Sequence, residues 1–105
     1  MHMRMHLLQV VYELPEEEGM GVAADVFTMT LSLRGVHSVT QLRRELRERG
    51  SALLGCTIES MDVAYINDLD EAVPLAPRTK LVDIKLEAQS LHVTPYLAPH
   101  ATEVN

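Results

Sequence analysis

Residues 25–50 of the chain, DVFTMTLSLRGVHSVTQLRRELRERG, contain a strand pattern followed directly by a helix pattern. Apolar and polar residues alternate through residues 27–34, so the two kinds of side chain fall on opposite faces. The apolar set is Phe27, Met29, Leu31 and Leu33, and the polar set is Thr28, Thr30, Ser32 and Arg34. A period of two residues is typical of a strand with one buried face, and we predict such a strand over residues 26–34.

A helix start signal follows at Ser38, the first residue of the sequence S-V-T-Q. In such a capping box the Ser38 hydroxyl accepts a hydrogen bond from the Gln41 amide, and the Gln41 side chain returns to the Ser38 amide. Apolar residues then recur at helical spacing, at Val39, Leu42 and Leu46. Gly50 stands where a left-handed glycine commonly ends a helix. The sequence therefore predicts a helix that ends at Gly50 and packs on the preceding strand.

The composition predicts one folded domain in a soluble protein. The chain has 105 residues, of which 47% are hydrophobic, so residues 1–105 suffice for a single core. We expect an ordered core over about residues 5–94 and a mobile tail over residues 95–105. No apolar run approaches the roughly 18 residues that a membrane span needs. The first residues also lack a signal-peptide pattern, which makes the cytoplasm the expected location.

Charge and residue types argue against several classes of function. The formal net charge is −6 and the chain has one Phe, three Tyr and no Trp. Nucleic-acid binders usually carry basic surfaces and aromatic stacking platforms, so nucleic-acid binding is not expected. Cys56 is the single cysteine, which excludes an intramolecular disulfide and a cysteine-based zinc site. No catalytic or cofactor motif is present, and we expect neither an enzyme nor a bound cofactor.

Further strands are predicted on both sides of the central stretch. The segments concerned are residues 7–14, 61–66, 73–76 and 80–88. The first has apolar residues on both faces, which indicates a central strand antiparallel to its neighbour. Residues 73–76 lie at Pro74 and Pro77 and form at best an edge strand. The last alternates through Val82, Ile84 and Leu86, with Leu91 and Val93 either extending it or starting another strand, and Pro95 ending regular structure.

The resulting order is strand, strand, helix, strand, short segment, strand. It resembles the α+β β-grasp or ubiquitin-like fold, a mixed sheet of four to five strands with one helix packed across one face. A ferredoxin-like arrangement is the main alternative, although a second clear helix is missing from the pattern. Over residues 5–92 the chain is similar to the small sulfur carriers of the MoaD and ThiS type and to the ubiquitin-related modifiers. The local resemblance rests on D-V-A-Y-I-N-D at residues 62–68 and on the spacing of Val39, Leu42 and Leu46.

The resemblance implies the fold of these carriers, but the chain lacks the C-terminal residues on which their chemistry depends. Those carriers end in Gly-Gly, whose unhindered carboxylate is activated, whereas this sequence has no glycine after Gly55. The leading hypothesis is therefore a non-catalytic ubiquitin-like module that binds another protein or a second copy of itself. The alternatives are a sulfur-carrier or modifier relative without its diglycine, and a small metal-binding protein.

The candidate partner-binding residues are Arg34, Arg43 and Arg47. On the helix, Arg44–Glu48 and Glu45–Arg49 form i,i+4 pairs, while Arg43 and Arg47 are left without an acidic partner at that spacing. One hypothesis is that these arginines dock an acidic partner surface. The other is that they belong to a solvated helix face.

The metal-binding alternative rests on the first six residues, M-H-M-R-M-H. Methionine and histidine together suit a soft metal such as copper. The same residues are also consistent with an extended lead-in to the first strand. The sequence leaves both interpretations open.

Overall fold

The computed structural model describes residues 7–15 and 25–97. Within these ranges the elements, in chain order, are β1 (Leu7–Glu13), β2 (Val26–Ser32), α1 (Val39–Leu54), β3 (Ile58–Ile66), β4 (Ala72–Pro74), α2 (Leu81–Glu87) and β5 (Ser90–Leu97). The strands form one mixed sheet in the order β2-β1-β5-β3-β4. β1 is antiparallel to β2 and parallel to β5, and β3 is antiparallel to both β4 and β5.

This architecture confirms the predicted α+β class, with a helix packed on one face of a five-stranded mixed sheet. It is compatible with a β-grasp-like fold. A second helix is present, but the described order ββαββαβ differs from the βαββαβ order of the ferredoxin-like alternative. β1 lies in the sheet interior, as its two apolar faces predicted.

The core lies between α1 and the inner face of the sheet. Because side chains alternate along a strand, β1 turns Leu8, Val10 and Tyr12 to this face, all nearly inaccessible to solvent. α1 places Leu42 and Leu46 against them, and both are fully buried. Burying a side chain of this size contributes roughly 1.5–3 kcal/mol relative to exposure. The core thus fixes which face of β2 is turned toward the helix.

α1 begins as predicted but ends later. The Gln41 amide donates to Ser38 Oγ at 3.0 Å, whereas Gln41 Oε1 accepts from the amide of His37 rather than of Ser38. The helix then continues past Gly50 to Leu54, and Gly55 is the left-handed C-cap with φ 73°. The predicted end at Gly50 is therefore wrong. Gly50 lies inside α1, where the absence of a side chain lets the helix pack closely on Tyr12 of β1.

The strand predicted over residues 80–88 is wrong, because this segment contains the helix α2. Leu81, Ile84 and Ala88 pack on the core at spacings of three and four residues, while Val82 and Leu86 are exposed. The apolar run therefore satisfied a period of two and a helical period equally well. Short runs of this kind are ambiguous, and here tertiary packing selects the helix.

β5 is a separate strand that continues through Pro95 to Leu97, beyond the predicted end of the core at residue 94. Pro95 is tolerated because β5 pairs with β1 only as far as Val93, which leaves that side of the strand open at residue 95. β3 begins at Ile58, earlier than predicted. The short segment near Pro74 is confirmed as the edge strand β4. The predictions for residues 1–6 and for the tail beyond Leu97 lie outside the described residues.

Candidate protein-interaction edge

β2 is an edge strand of the sheet, with β1 as its neighbour on one side. The Leu14 amide donates to the Asp25 carbonyl at 2.9 Å, which makes residues 14 and 25 a hydrogen-bonded pair. The register continues without a shift from there to Leu7 and Ser32. Since hydrogen-bonded pairs alternate in an antiparallel ladder, the odd-numbered β2 residues turn their backbone groups toward β1. The outward backbone groups belong to Val26, Thr28, Thr30 and Ser32.

The two edges of the sheet differ in how they resist pairing. β4 is three residues long, ends at Pro74 and follows a turn that carries Asp68, Asp70 and Glu71. Shortness, proline and charge are the usual devices that protect an edge. β2 is seven residues long and contains neither a charged residue nor a proline. Among the strands that the structure describes, β2 is the edge that lacks all three devices.

The inner face of β2 is only partly covered by the core. Phe27 and Met29 pack against the core but remain partly exposed, whereas Leu31 is buried. The core therefore covers Leu31 more fully than Phe27 and Met29. Among residues 7–15 and 25–97, no strand pairs with the outer edge of β2, so this edge combines free backbone groups with apolar side chains that an added strand would cover.

A polar groove of about 380 Å³ lies beside this edge. Its lining includes Thr30, Ser32, Arg34, Gln41, Glu45 and Arg49. Arg49 Nε donates to Glu45 Oε1 at 2.9 Å, which confirms the predicted i,i+4 pair. The groove thus joins the strand edge to one flank of α1 and presents both signs of charge.

The structure separates the three predicted partner-binding residues. Arg34 is exposed and lines the groove beside β2. Arg43 lies on the other flank of α1, where its guanidinium donates to the Leu75 carbonyl at 3.3 Å, and Arg47 follows one turn later. Arg43 therefore has a structural role in holding the segment after β4. The predicted ion pair between Arg44 and Glu48 does not form, although both residues lie in the described range.

Three tyrosine hydroxyls make hydrogen bonds that hold elements together. Tyr12 donates to the Leu46 carbonyl at 2.7 Å, and burial raises the pKa of Tyr12 to about 12. Burial, with the bond that Tyr65 donates to Glu87, raises the pKa of Tyr65. The bond from Tyr96 to Asp62 likewise raises the pKa of Tyr96. These phenols stay protonated near neutral pH, which suits structural roles.

The metal-ligating and nucleophilic side chains of the described residues are dispersed. In residues 7–15 and 25–97, no group of three or more His, Cys, Asp or Glu side chains is arranged to hold a metal ion. Cys56 is partly buried, and its Sγ donates to the Leu54 carbonyl at 3.6 Å. His92 is exposed on the sheet face opposite α1, between Val11 and Ala64.

Comparison with family models and curated sequences assigns no family to this chain. The chain matches no family model, and no curated protein sequence is significantly similar to it. The similarity to sulfur carriers and ubiquitin-related modifiers therefore stays a prediction. Neither helix in the described ranges combines the length and hydropathy needed to cross a membrane.

Proposed function

We propose that this protein is a non-catalytic, ubiquitin-like interaction module that binds an extended segment of a protein partner along β2. The observation that carries this proposal is the seven-residue, uncharged free edge of β2 beside a polar groove. The ubiquitin-like character is supported by the sheet order, in which β1 and β5 lie parallel at the centre. The free thiol of Cys56 suits a reducing compartment, and we place the module in the cytoplasm.

The affinity of such a site comes mainly from the backbone. An added strand forms hydrogen bonds with the outward groups of an edge, and alternate side chains provide specificity. On β2 these outward groups belong to residues on the open face, including Thr28 and Thr30. The inner-face side chains Phe27 and Met29 would become covered at the same time. Arg34 and the Glu45–Arg49 pair border the groove and would contact the flank of the incoming segment.

The test compares Thr30→Pro with the matched control Thr30→Val. The Thr30 amide points away from β1, so proline removes a donor that the isolated sheet does not use. Valine keeps this donor and the strand propensity while removing the hydroxyl. The readout is the native mass of the complexes that each form makes in lysate of its source cells. We expect the heteromeric complex with wild type and Thr30→Val, and its loss with Thr30→Pro.

A circular dichroism melt of both variants establishes that the fold is retained. If folded Thr30→Pro keeps the complex, the partner binds elsewhere and the β2 proposal is wrong. The flank of α1 with Arg43 and Arg47 would then be the next surface to vary.

A further inference from the structure

We infer that the β2 edge also binds a second copy of the chain, in an antiparallel two-fold pairing centred on Met29. This inference rests on the proposed function, because it assigns a partner to the same edge. Two β2 strands would join their sheets into one continuous sheet across the two-fold axis. The two α1 helices would lie on the same side of that sheet.

The positions of the outward backbone groups are symmetric about Met29. Antiparallel pairing centred there sets Thr28 opposite Thr30 of the other copy, and Val26 opposite Ser32 of the other copy. All four outward-facing residues of each strand would then find hydrogen-bonding partners. Met29 would face its counterpart in a non-hydrogen-bonded pair, because its own backbone groups turn toward β1. This register also overlaps the full length of β2.

The side chains match on both faces of the same register. On the inner face, Phe27 would lie opposite Leu31 of the other copy, and the two Met29 side chains would meet. The partly exposed Phe27 and Met29 side chains would continue the core across the axis. On the open face, threonine would lie opposite threonine, a favourable cross-strand pair. No like charges are brought face to face along β2.

Charges beside the strand are also compatible with two-fold symmetry. An isologous interface requires that each surface complement itself. Glu45 and Arg49 lie on the flank of α1 beside β2 and form an ion pair within one chain, so this flank presents both an acid and a base to the other copy.

A charge-swap experiment tests both the pairing and its register. Thr28 and Thr30 are exposed, and their β1 neighbours Val11 and Gln9 carry no charge. The variant Thr28→Lys/Thr30→Lys places like charges opposite each other in the proposed register. Thr28→Lys/Thr30→Glu places opposite charges there. The control Ser60→Lys/Ala72→Lys adds the same two charges to exposed sites on β3 and β4.

The readout is the solution mass from light scattering over a concentration series. We expect twice 11.7 kDa for wild type, the control and the Lys/Glu variant, and 11.7 kDa for the Lys/Lys variant. A dimer that survives Lys/Lys substitution would use another surface and would overturn the inference. Failure of the Lys/Glu variant to restore the dimer would overturn the register centred on Met29.

Disulfide trapping provides an independent test of the register in a Cys56→Ser background. Met29→Cys would lie opposite its own counterpart at about 4.5 Å between Cα atoms, within the range that a disulfide spans. Thr28→Cys is the matched control, because residue 28 would lie opposite residue 30. We expect covalent dimers from Met29→Cys and little from Thr28→Cys under the same mild oxidation. Equal or reversed yields would overturn the proposed centre.

The outcomes separate this inference from the proposed function. A wild-type mass of 11.7 kDa at every concentration would overturn self-pairing. If Thr30→Pro still abolished a heteromeric complex, the proposed module would stand without self-pairing. If neither association depended on β2, both proposals would be wrong.

Discussion

At Gly50, α1 lies close against Tyr12 of β1 and Ile58 of β3. A Cβ atom built there would lie 2.5 Å from a ring carbon of Tyr12 and 2.8 Å from Cδ1 of Ile58. Such distances are far below van der Waals contact. Glycine within the helix therefore makes room for the buried Tyr12 ring. Its low helix propensity destabilises α1 locally, and the packing of the ring offsets this loss.

We expect Gly50→Ala to destabilise the protein despite the higher helix propensity of alanine. The propensity gain is about 1 kcal/mol, whereas forcing a methyl group into a filled core typically costs roughly 1–3 kcal/mol. Urea unfolding of wild type and variant measures the difference. In a Tyr12→Leu background the smaller side chain should reduce the penalty, which a double-mutant cycle detects. A net stabilisation by Gly50→Ala would contradict the close approach.

Tyr12 should make stability depend on alkaline pH. Its folded-state pKa is raised from 10.0 to about 12, chiefly by burial, while Arg49 opposes the shift. The folded state therefore keeps this proton where the unfolded state has lost it. The contribution is fully present below pH 10 and is lost as the pH rises toward 12, amounting to roughly 2–3 kcal/mol. Unfolding free energies measured between pH 9 and 12 should therefore fall more steeply for wild type than for Tyr12→Phe.

Near neutral pH, Tyr12→Phe should cost about 1 kcal/mol, because it removes the hydrogen bond to the Leu46 carbonyl. The advantage of wild type should then shrink above pH 10. Parallel curves for the two proteins over the whole range would contradict a raised pKa at Tyr12.

At the scale of elements, the sequence predicted those parts of the fold whose local and tertiary preferences agree. β2 alternates cleanly and Ser38 accepts the predicted capping bond, so both positions were recognisable. α2 and Gly50 were misjudged, because packing on residues distant in sequence decided them. A local sequence pattern carries no information about contacts between residues that are distant in sequence. The burial of Ile84 and the exposure of Leu86 distinguish the helix α2 from the predicted strand, and neither can be read from the local sequence.

The candidate site was predictable only in part. Arg34, predicted to bind a partner, lines the groove beside β2, and its role stays a prediction. The free edge itself was not assigned to β2, because edge status depends on the order in which all strands pair. Glu45 and Arg49 were assigned to an intrahelical pair without any link to β2. In the sequence, the feature that indicates an unprotected strand edge is the lack of charged residues and proline in residues 26–32.

The edge position of β2 predicts alternating amide exchange in the dilute monomer. Phe27, Met29 and Leu31 donate toward β1, whereas the amides of Thr28 and Thr30 face outward. Backbone groups in a ladder are protected from solvent exchange, and outward edge groups are not. Residue-resolved hydrogen exchange by NMR should therefore show slow and fast amides in alternation. Slow exchange at Thr28 in a dilute sample would contradict a free edge.

For the whole molecule, the central fact is that β5 joins two hairpins. β1 pairs with β2 and β3 pairs with β4, while β5 lies between β1 and β3. β5 also brings Leu91 and Val93 into the core, both almost fully buried. Without β5 the two hairpins lose their shared neighbour and much of the apolar area that stabilises the domain.

We therefore expect a chain that ends at Gln89 to be unfolded. Two isolated hairpins beside α1 and α2 bury too little apolar surface to offset the entropy of the ordered chain. Circular dichroism and the one-dimensional NMR spectrum of the truncated chain check this. A cooperative thermal transition in the truncated chain would contradict a central role for β5.

The central position of β5 also has a consequence during synthesis. The ribosome releases β1 and β2 first and the segment around Leu97 much later, so the sheet cannot close while translation of this region is in progress. During that interval the apolar faces of the two hairpins have no permanent cover. We therefore expect a nascent chain stalled at Gln89 to stay unfolded and open to chaperones until the next eight residues, Ser90–Leu97, complete the sheet.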